Sequence, residues 1–419
     1  MKKLIIIGAG FAGLRLARAL KNKNFEVWII DRNNYHQFQP LLYQVATAGI
    51  EPNSIAFPLR KVFQKSRNTH VRCTEVESVD TNAQTVHTAI GEFKYDYLVI
   101  ATGCATNFFG NTMIEENAMT MKSVSEALYI RNRVLQNFED ALNTGPENRK
   151  ALLNVVIVGG GPTGVEISGA LAEMKKYILP KDYPEIDFKD MHIYLIEAGP
   201  KTLSVMSEQS SGKSQKYLKE LGVIVHTNTQ VTSYDGTVVE LSTGKKITSK
   251  NLIWAAGVTG NFLNGLPPYT KVKGNRISVN RFSQVQGFNN VFALGDISYM
   301  ETEKYPKGHP QVATAANEQA DHLYKNLMLA GKGKDMLPFE YKDKGSLATV
   351  GRNKAVVDLP FIKFQGFFAW VFWMTLHLML LLGVKNKLLI FINWAWNYFT
   401  FDQSLRLIIK PYKKEKELV

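Results

Sequence analysis

The chain has 419 residues, 45% of them hydrophobic, and a formal net charge of +13. That length allows two domains and an extension, with apolar content enough for ordinary buried cores. Only Cys73 and Cys104 are cysteines and no CxxC occurs, which excludes a disulfide framework and a cysteine metal site, so no metal is expected.

The N-terminal run Leu4–Ile7 is too short for a signal peptide and leads straight into glycines. It predicts a first strand and a chain that stays in the cytoplasm. Gly8-Ala9-Gly10-Phe11-Ala12-Gly13 follows, then a helical stretch, then the strand Val27–Ile30 ending at Asp31. Residues 33–58 read as a loop rich in aromatics, proline and glycine. Alternation predicts short strands over 70–79 and 84–99, and the first half closes on Ala101-Thr102-Gly103. Residues 108–116 look like a crossing between domains, and 123–142 has helical spacing.

The pattern then repeats. Val155–Val158 runs into Gly159-Gly160-Gly161-Pro162-Thr163-Gly164, and Ile193–Ile196 ends at Glu197. The helix between them is expected to be longer than its counterpart, because 175–190 intervenes. Turn signals at Asp235-Gly236 and Thr243-Gly244 predict hairpins over 223–253, and Ala255-Ala256-Gly257 closes the half. A strand Val291–Leu294 meets Gly295-Asp296, a helix fills 311–330, and a final region begins near Pro338.

Each GxGxxG sits between a strand and a helix, with an acid at the next strand end. The first glycine allows a tight turn, the second lets backbone approach a pyrophosphate, and the third lets helix pack on sheet. The anion then rests on a helix N-terminus. One such motif is weak. Two in context point to two nucleotide cofactors held for electron transfer. Gly8 and Gly159, like Gly103 and Gly257, are about 150 residues apart, one domain length, as after duplication of a whole domain. An acid repels a 2′-phosphate, so Glu197 favours NADH over NADPH, moderated by nearby Lys201.

The tail carries two apolar runs, 361–384 and 388–401, the second rich in Trp394, Trp396, Tyr398 and Phe399. By length the first is a transmembrane candidate. Its polar interruptions and the flanking Lys385, Lys387, Lys410, Lys413, Lys414 and Lys416 fit helices lying in the interface better. A dimerisation or core-covering role is the alternative. No nucleic-acid motif appears, so the positive charge is assigned to an anionic lipid surface and nucleic acid is not expected as a partner.

These motifs, with Phe38-Gln39-Pro40-Leu41-Leu42-Tyr43-Gln44-Val45-Ala46-Thr47, Pro310–Ala313, Lys344–Thr349 and the aromatic tail, resemble the two-dinucleotide-binding-domain flavoproteins. Within them the chain is most similar to the type II NADH dehydrogenases, single-subunit NADH:quinone oxidoreductases. The resemblance implies an α/β fold: two Rossmann-like dinucleotide-binding domains plus a C-terminal membrane-associating helical region. It divides the chain into an FAD domain (1–108 and 275–335), an NADH domain (109–274) and a membrane-anchoring region (336–419).

It also implies roles. Gly8, Gly10, Phe11, Ala12 and Gly13 would bind the FAD pyrophosphate, Asp31 and Arg32 the adenosine end, Val76 the adenine through its backbone, and Gly295-Asp296 the ribityl chain. Ala101, Thr102 and Gly103 join the FAD set; Gln44 would lie near the isoalloxazine, its favoured alternative being a loop hydrogen bond. Gly159, Gly160, Gly161, Pro162, Thr163, Gly164, Glu197, Ala256 and Gly257 form the NADH set. Gln311 and Val312 would meet flavin and quinone. The family's second glutamine in this segment is Ala315 here; Gln319, one helical turn on, is a candidate substitute.

Glu166 is the leading proton relay for the quinone, its alternative being a contact with the helix dipole or nicotinamide amide. Lys344 would stabilise reduced flavin, or is simply a solvated lysine. His309 and His377 read as structural. The expected protein is a non-pumping NADH:quinone oxidoreductase of a respiratory chain, peripheral or monotopic on the cytoplasmic face of the inner membrane, with a homodimer left open. The rivals are a soluble-partner NAD(P)H reductase and a redox-sensing flavoprotein of the apoptosis-inducing-factor type. A disulfide reductase lacks its cysteine pair.

Overall fold

The computed structural model describes residues 1–403 and 405–409. The chain divides into two compact units. One comprises Met1–Gln37, Ala56–Ala105 and Val258–Lys344; the other comprises Phe38–Ile55, Thr106–Gly257 and the chain from Gly345 on. Compared with the expected division, the loop after Gln37 and the tail both group with the second glycine motif, and 258–274 groups with the first.

The first unit is built on five parallel strands in the order Val291–Ala293, Tyr97–Ile100, Lys2–Ile7, Phe25–Asp31, Thr69–Cys73. Leu4–Ile7 lies in the middle and is fully buried, which is why it reads as an unbroken apolar run rather than an alternating one. The helices Phe11–Ala19 and Ala313–Ala330 pack against each other. An antiparallel sheet of Val76–Asp80, Thr85–Thr88 and Gly91–Lys94 completes it. Inside the stretch expected to be loop, Tyr35–Gln37 pairs with Ala56–Pro58.

The second unit repeats the plan, with strands in the order Met119–Thr120, Asn251–Trp254, Val155–Val158, Ile193–Ile196, Val223–His226. The helix Val124–Leu142 opens with a capping box: Ser123 Oγ accepts from the Glu126 N–H, and Glu126 Oε2 accepts from the Ser123 N–H at 2.8 Å. The hairpin turns at Asp235-Gly236 and Thr243-Gly244 join the strands Val231–Tyr234, Val238–Leu241 and Lys246–Thr248. The fold class is α/β with two Rossmann-like domains and a C-terminal helical region.

That region starts as an antiparallel sheet, Ser346–Thr349, Ala355–Asp358 and Lys363–Gln365, and ends in the helices Phe367–Leu380 and Val384–Thr400. The apolar run 361–384 is therefore not one span. Part of it is strand, and Gly383, at φ +79°, separates the two helices. Among the described residues no helix is long and apolar enough to cross a membrane. Lys410, Lys413, Lys414 and Lys416 lie outside the described residues.

Arg352 fastens the last helix. Its guanidinium donates to the carbonyls of Tyr398 (2.8 Å) and Asn397 (2.6 Å) and lies 3.6 Å from the Phe401 ring centroid. The Asn397 carbonyl also accepts from the Phe401 N–H at 3.1 Å; both carbonyls lie in the last turn, where the helix dipole favours a cation. Charge-assisted hydrogen bonds of this kind contribute about 1.5–3 kcal/mol. Arg352→Ala is expected to cost about 2 kcal/mol by that measure, and hydrogen exchange over 384–400 should accelerate while exchange in the two parallel sheets does not.

Candidate functional site

Both glycine loops are built alike. Gly8 (φ +96°) and Gly159 (φ +108°) are left-handed, and a side chain at either would strike backbone, at Ala101 and Ala255 respectively. Gly10 and Gly161 by contrast have nothing within 4 Å of where a Cβ would stand. Each is followed directly by a helix, Phe11–Ala19 or Pro162–Tyr177, whose N-cap makes no side-chain hydrogen bond. Each loop thus presents an open face with unspent helical N–H groups, which suits a pyrophosphate. The residues present fit two dinucleotides, FAD and NADH.

The acids serve the loops as well. Asp31 accepts the N–H groups of Ala9 and Asn33, both at 2.7 Å. Glu197 accepts those of Gly160 at 2.5 Å and Gly199 at 2.6 Å. Each carboxylate oxygen keeps acceptor capacity for a ribose hydroxyl. Burial pushes the Asp31 pKa up, opposed by those two N–H bonds and by Arg32. Lys201, expected to temper the choice of NADH, is ion-paired with Glu208. His36 was not singled out from sequence. It is buried, its Nδ1 lies 2.9 Å from the Ala9 carbonyl, and its ring meets Phe11 edge-on. Burial lowers its pKa, so it is a neutral N–H donor bracing the loop.

Elsewhere in the first unit, Thr102 and Asn261 bond reciprocally, at 2.8 and 2.9 Å, holding the Ala101–Gly103 turn. Val76 pairs with Thr88 at the start of its strand. Gly295 donates its N–H to Gln319 Oε1 at 2.7 Å. Gln319 is buried, and its Oε1 also accepts from the Ser298 hydroxyl at 3.3 Å. Asp296 Oδ2 accepts from the Cys104 thiol at 3.1 Å, and Gln311 Nε2 donates to the Asp296 carbonyl at 3.0 Å. Val312 is the N-cap of the Ala313–Ala330 helix and is exposed. Lys344 is 62% exposed and pairs with Glu318 at 2.8 Å, the solvated arrangement. His309 is buried among the rings of Tyr305, Phe339 and Tyr341.

In the second unit, Ala256 packs on the apolar cluster around Trp254, and Gly257 (φ +69°) turns beside Phe109. The same unit holds a cavity that is open to solvent. Helical spacing supplies its walls: Glu166, Ala170 and Glu173 come from one face of Pro162–Tyr177, Trp370 and Trp373 from Phe367–Leu380, and Trp394 and Tyr398 from Val384–Thr400. Tyr43 and Gln44 enter from the short helix Leu42–Ala46.

Glu166 is buried here. Its pKa is pushed up to about 8 by desolvation, against the Thr349 N–H (3.5 Å) and the facing indole of Trp373. That Trp373 N–H, itself buried, completes no hydrogen bond among the described residues. Glu173 is held by the Arg352 N–H at 2.5 Å, and burial raises its pKa. His377 stacks on Trp373 at 3.9 Å with Nδ1 at 2.8 Å from the Trp373 carbonyl; burial lowers it to about 4, so it is neutral. Sequence reading found Glu166 but missed Tyr43, Trp373 and Trp394 as its neighbours.

A model of the pyridine nucleotide-disulphide oxidoreductase family matches residues 2–320, and one of the NDH2 C-terminal domain matches 344–400. Type II NADH:quinone oxidoreductase Ndh of Mycobacterium tuberculosis is 36% identical, over 95% of this chain and 88% of that protein. A probable NADH dehydrogenase of Dictyostelium discoideum is 29% identical over 94% of this chain and 88% of that protein. Among solved structures, NDH2 from Plasmodium falciparum in complex with NADH superposes with a TM-score of 0.90 at 23% identity, covering 98% of this chain and all (100%) of that one. The sulfide:quinone oxidoreductase of Aquifex aeolicus shares the fold at a TM-score of 0.73 and 21% identity, covering 96% of each chain.

Removing the Glu197 carboxylate is expected to relax nucleotide choice. Glu197→Ser should raise the NADPH-to-NADH ratio of kcat/KM by about 10-fold or more, as an unopposed 2′-phosphate is no longer repelled. An unchanged ratio would place the 2′ position elsewhere.

Proposed function

We propose that this chain, which belongs to the pyridine nucleotide-disulphide oxidoreductase family and within it to the type II NADH:quinone oxidoreductases, reduces its quinone in the cavity beside Glu166. The overall reaction is NADH:quinone oxidoreduction without proton pumping. FAD, when bound, would supply the hydride and electron chemistry between NADH and the quinone. The chain's residues bind, orient and supply protons. Gly8, Gly10, Phe11, Ala12 and Gly13 would cradle the FAD pyrophosphate, with Asp31 and Arg32 at the adenosine and the Val76 backbone at the adenine. Ala101–Gly103, Gly295, Asp296 and Val312 would line the rest of that group, and Gln311 would fix the Asp296 backbone. Gly159–Gly164, Glu197, Ala256 and Gly257 would hold NADH.

The observation that carries the quinone assignment is a carboxyl buried in an aromatic cavity. With its pKa near 8, Glu166 keeps its proton at neutral pH. Reducing a quinone consumes protons, and a buried acid of that pKa is matched to giving one. Lys344, already neutralised by Glu318, is expected to matter less. The soluble-partner and redox-sensing alternatives are not favoured, because the C-terminal match and the exposed apolar surface of the tail have no use in them.

Glu166→Gln should lower quinone-dependent kcat roughly 100-fold while NADH still bleaches the flavin. In the unsubstituted protein the quinone rate should fall as pH rises through about 8. Stability should follow the same group. The unfolded carboxyl releases its proton near 4.5 and the folded one near 8, so the folded state binds more protons between, and stability drops as pH rises across that window. Thermal melts should therefore show Glu166→Gln gaining on the original protein above pH 8 and not below pH 4.5.

The reading extends to an anionic lipid surface on the cytoplasmic face of the inner membrane. Phe361, Phe368, Met379, Val384, Trp396 and Phe399 are exposed, with Lys363 and Lys385 exposed among them. Apolar side chains flanked by lysines fit the headgroup boundary. Deleting the tail would remove cavity walls, so point changes test this better. Phe368→Glu with Phe399→Glu should abolish sedimentation with phosphatidylglycerol vesicles. If those variants sediment unchanged but lose a dimeric mass in solution, the face joins two copies instead.

A further inference from the structure

The hydrogen-bond chain Trp394–Gln44–Tyr43 has a polarity fixed at one end. The Trp394 indole Nε1–H can only donate. It lies 2.7 Å from Gln44 Oε1, which settles which end of the Gln44 amide is oxygen. The amide nitrogen then faces Tyr43 and donates to its hydroxyl oxygen at 2.9 Å. Having accepted there, Tyr43 must point its own proton elsewhere. No acceptor for that proton is present among the described residues. Tyr43 is buried, lines the cavity, and sits edge-on to Trp373, 6.3 Å between ring centroids.

From this geometry we propose that Trp394 and Gln44 are positioning residues that turn the Tyr43 hydroxyl into an obligate hydrogen-bond donor to a carbonyl oxygen of the quinone. The inference rests on the cavity being the quinone site. The donors there, the Tyr43 O–H and the protonated Glu166, with the Trp373 N–H facing Glu166, are complementary to a ligand that only accepts, and the indole walls suit a flat ring. Tyr43 transfers no proton in this scheme. Its pKa stands well above 10 through burial and the nearby Glu166 and Glu173, so it stays protonated while Glu166 gives its proton. The relay also orders substrate preference: a quinone carbonyl is the stronger acceptor for the Tyr43 bond, and a quinol hydroxyl, which still accepts, is the weaker one. Product release is thereby favoured.

The test reverses the polarity without changing the shape. In Gln44→Glu an ionised carboxylate accepts from both Trp394 and Tyr43, so the Tyr43 proton is captured. Tyr43→Phe removes it outright. Kinetics with NADH and a short-chain benzoquinone are paired with quinone binding read by tryptophan fluorescence quenching. Flavin content and flavin bleaching by NADH check that each variant is folded. Both variants should lose about 10-fold or more in quinone kcat/KM, and the double variant should lose no more than either alone, since one interaction is removed twice. Relative to the original protein at each pH, the Gln44→Glu loss should grow as the new carboxyl ionises. Should that variant not fold, Trp394→Phe frees the amide to flip and should give a smaller loss of the same kind.

Additive losses in the double variant, or quinone kinetics within two-fold of the original in Tyr43→Phe, would overturn the relay. If Glu166→Gln is impaired while Tyr43→Phe is not, the cavity assignment stands and the relay alone fails. If neither is impaired, the cavity is not the quinone site.

Discussion

One close approach organises the second unit. A Cβ on Gly169 would lie 3.0 Å from the Val350 carbonyl carbon and 3.1 Å from the Gly351 nitrogen, so the hairpin would have to give by a few tenths of an ångström. Glycine there lets the first C-terminal hairpin rest directly on the helix that follows the second glycine motif. Two further contacts depend on that seating. The Thr349 N–H reaches Glu166, and the Arg352 N–H reaches Glu173. Both carboxyls lie on the cavity face of the helix, so the hairpin at once buries them and gives each a donor. Burial without those donors would cost several kcal/mol for any charged state; with them, the acids keep raised pKa values and remain in place.

The nucleotide loops were legible because their constraint is local. Tight turn, close approach and helix packing all fall within six residues, and glycine is the residue type that satisfies them. The cavity was not, because its walls come from 43–44, 166–173, 349–352 and 370–398. Helical spacing at 166, 170 and 173, or at 394, 397 and 398, is visible in the sequence, but spacing tells which residues share a face and not what that face meets. Gln44 shows the limit well. Taken alone it suggests a loop hydrogen bond; its actual partner, Trp394, lies 350 residues away. His36 was hidden for the same reason, since nothing near it in sequence announces the Ala9 carbonyl.

The paired acids show a subtler shortfall. Position at a strand end marked Asp31 and Glu197 as ribose ligands, and that reading treats them as side chains waiting for a nucleotide. In the structure each is already engaged by two backbone N–H groups, one from the glycine loop and one from its own turn. An acid so placed rigidifies the loop before any nucleotide binds, lowering the ordering cost of binding. That both halves use the same two bonds is stronger support for duplication than the glycines, because it repeats a contact and not just a motif.

The tail was read as an amphipathic anchor, and its helices have a second duty. Ile390 and Trp394 are buried on one side of the last helix, while Phe391, Trp396 and Phe399 are exposed on others. A helix apolar on more than one face has no clean polar stripe. The inward face sets the orientation of Gln44, and the outward face is free for lipid. Binding energy gained outside therefore acts on the same seventeen residues that shape the cavity inside, with Arg352 fixing their C-terminal end. A shift of this helix against the hairpin would move Trp394 and release the Gln44 amide, so in the proposed function attachment to a membrane and hydrogen bonding to the quinone would share one element.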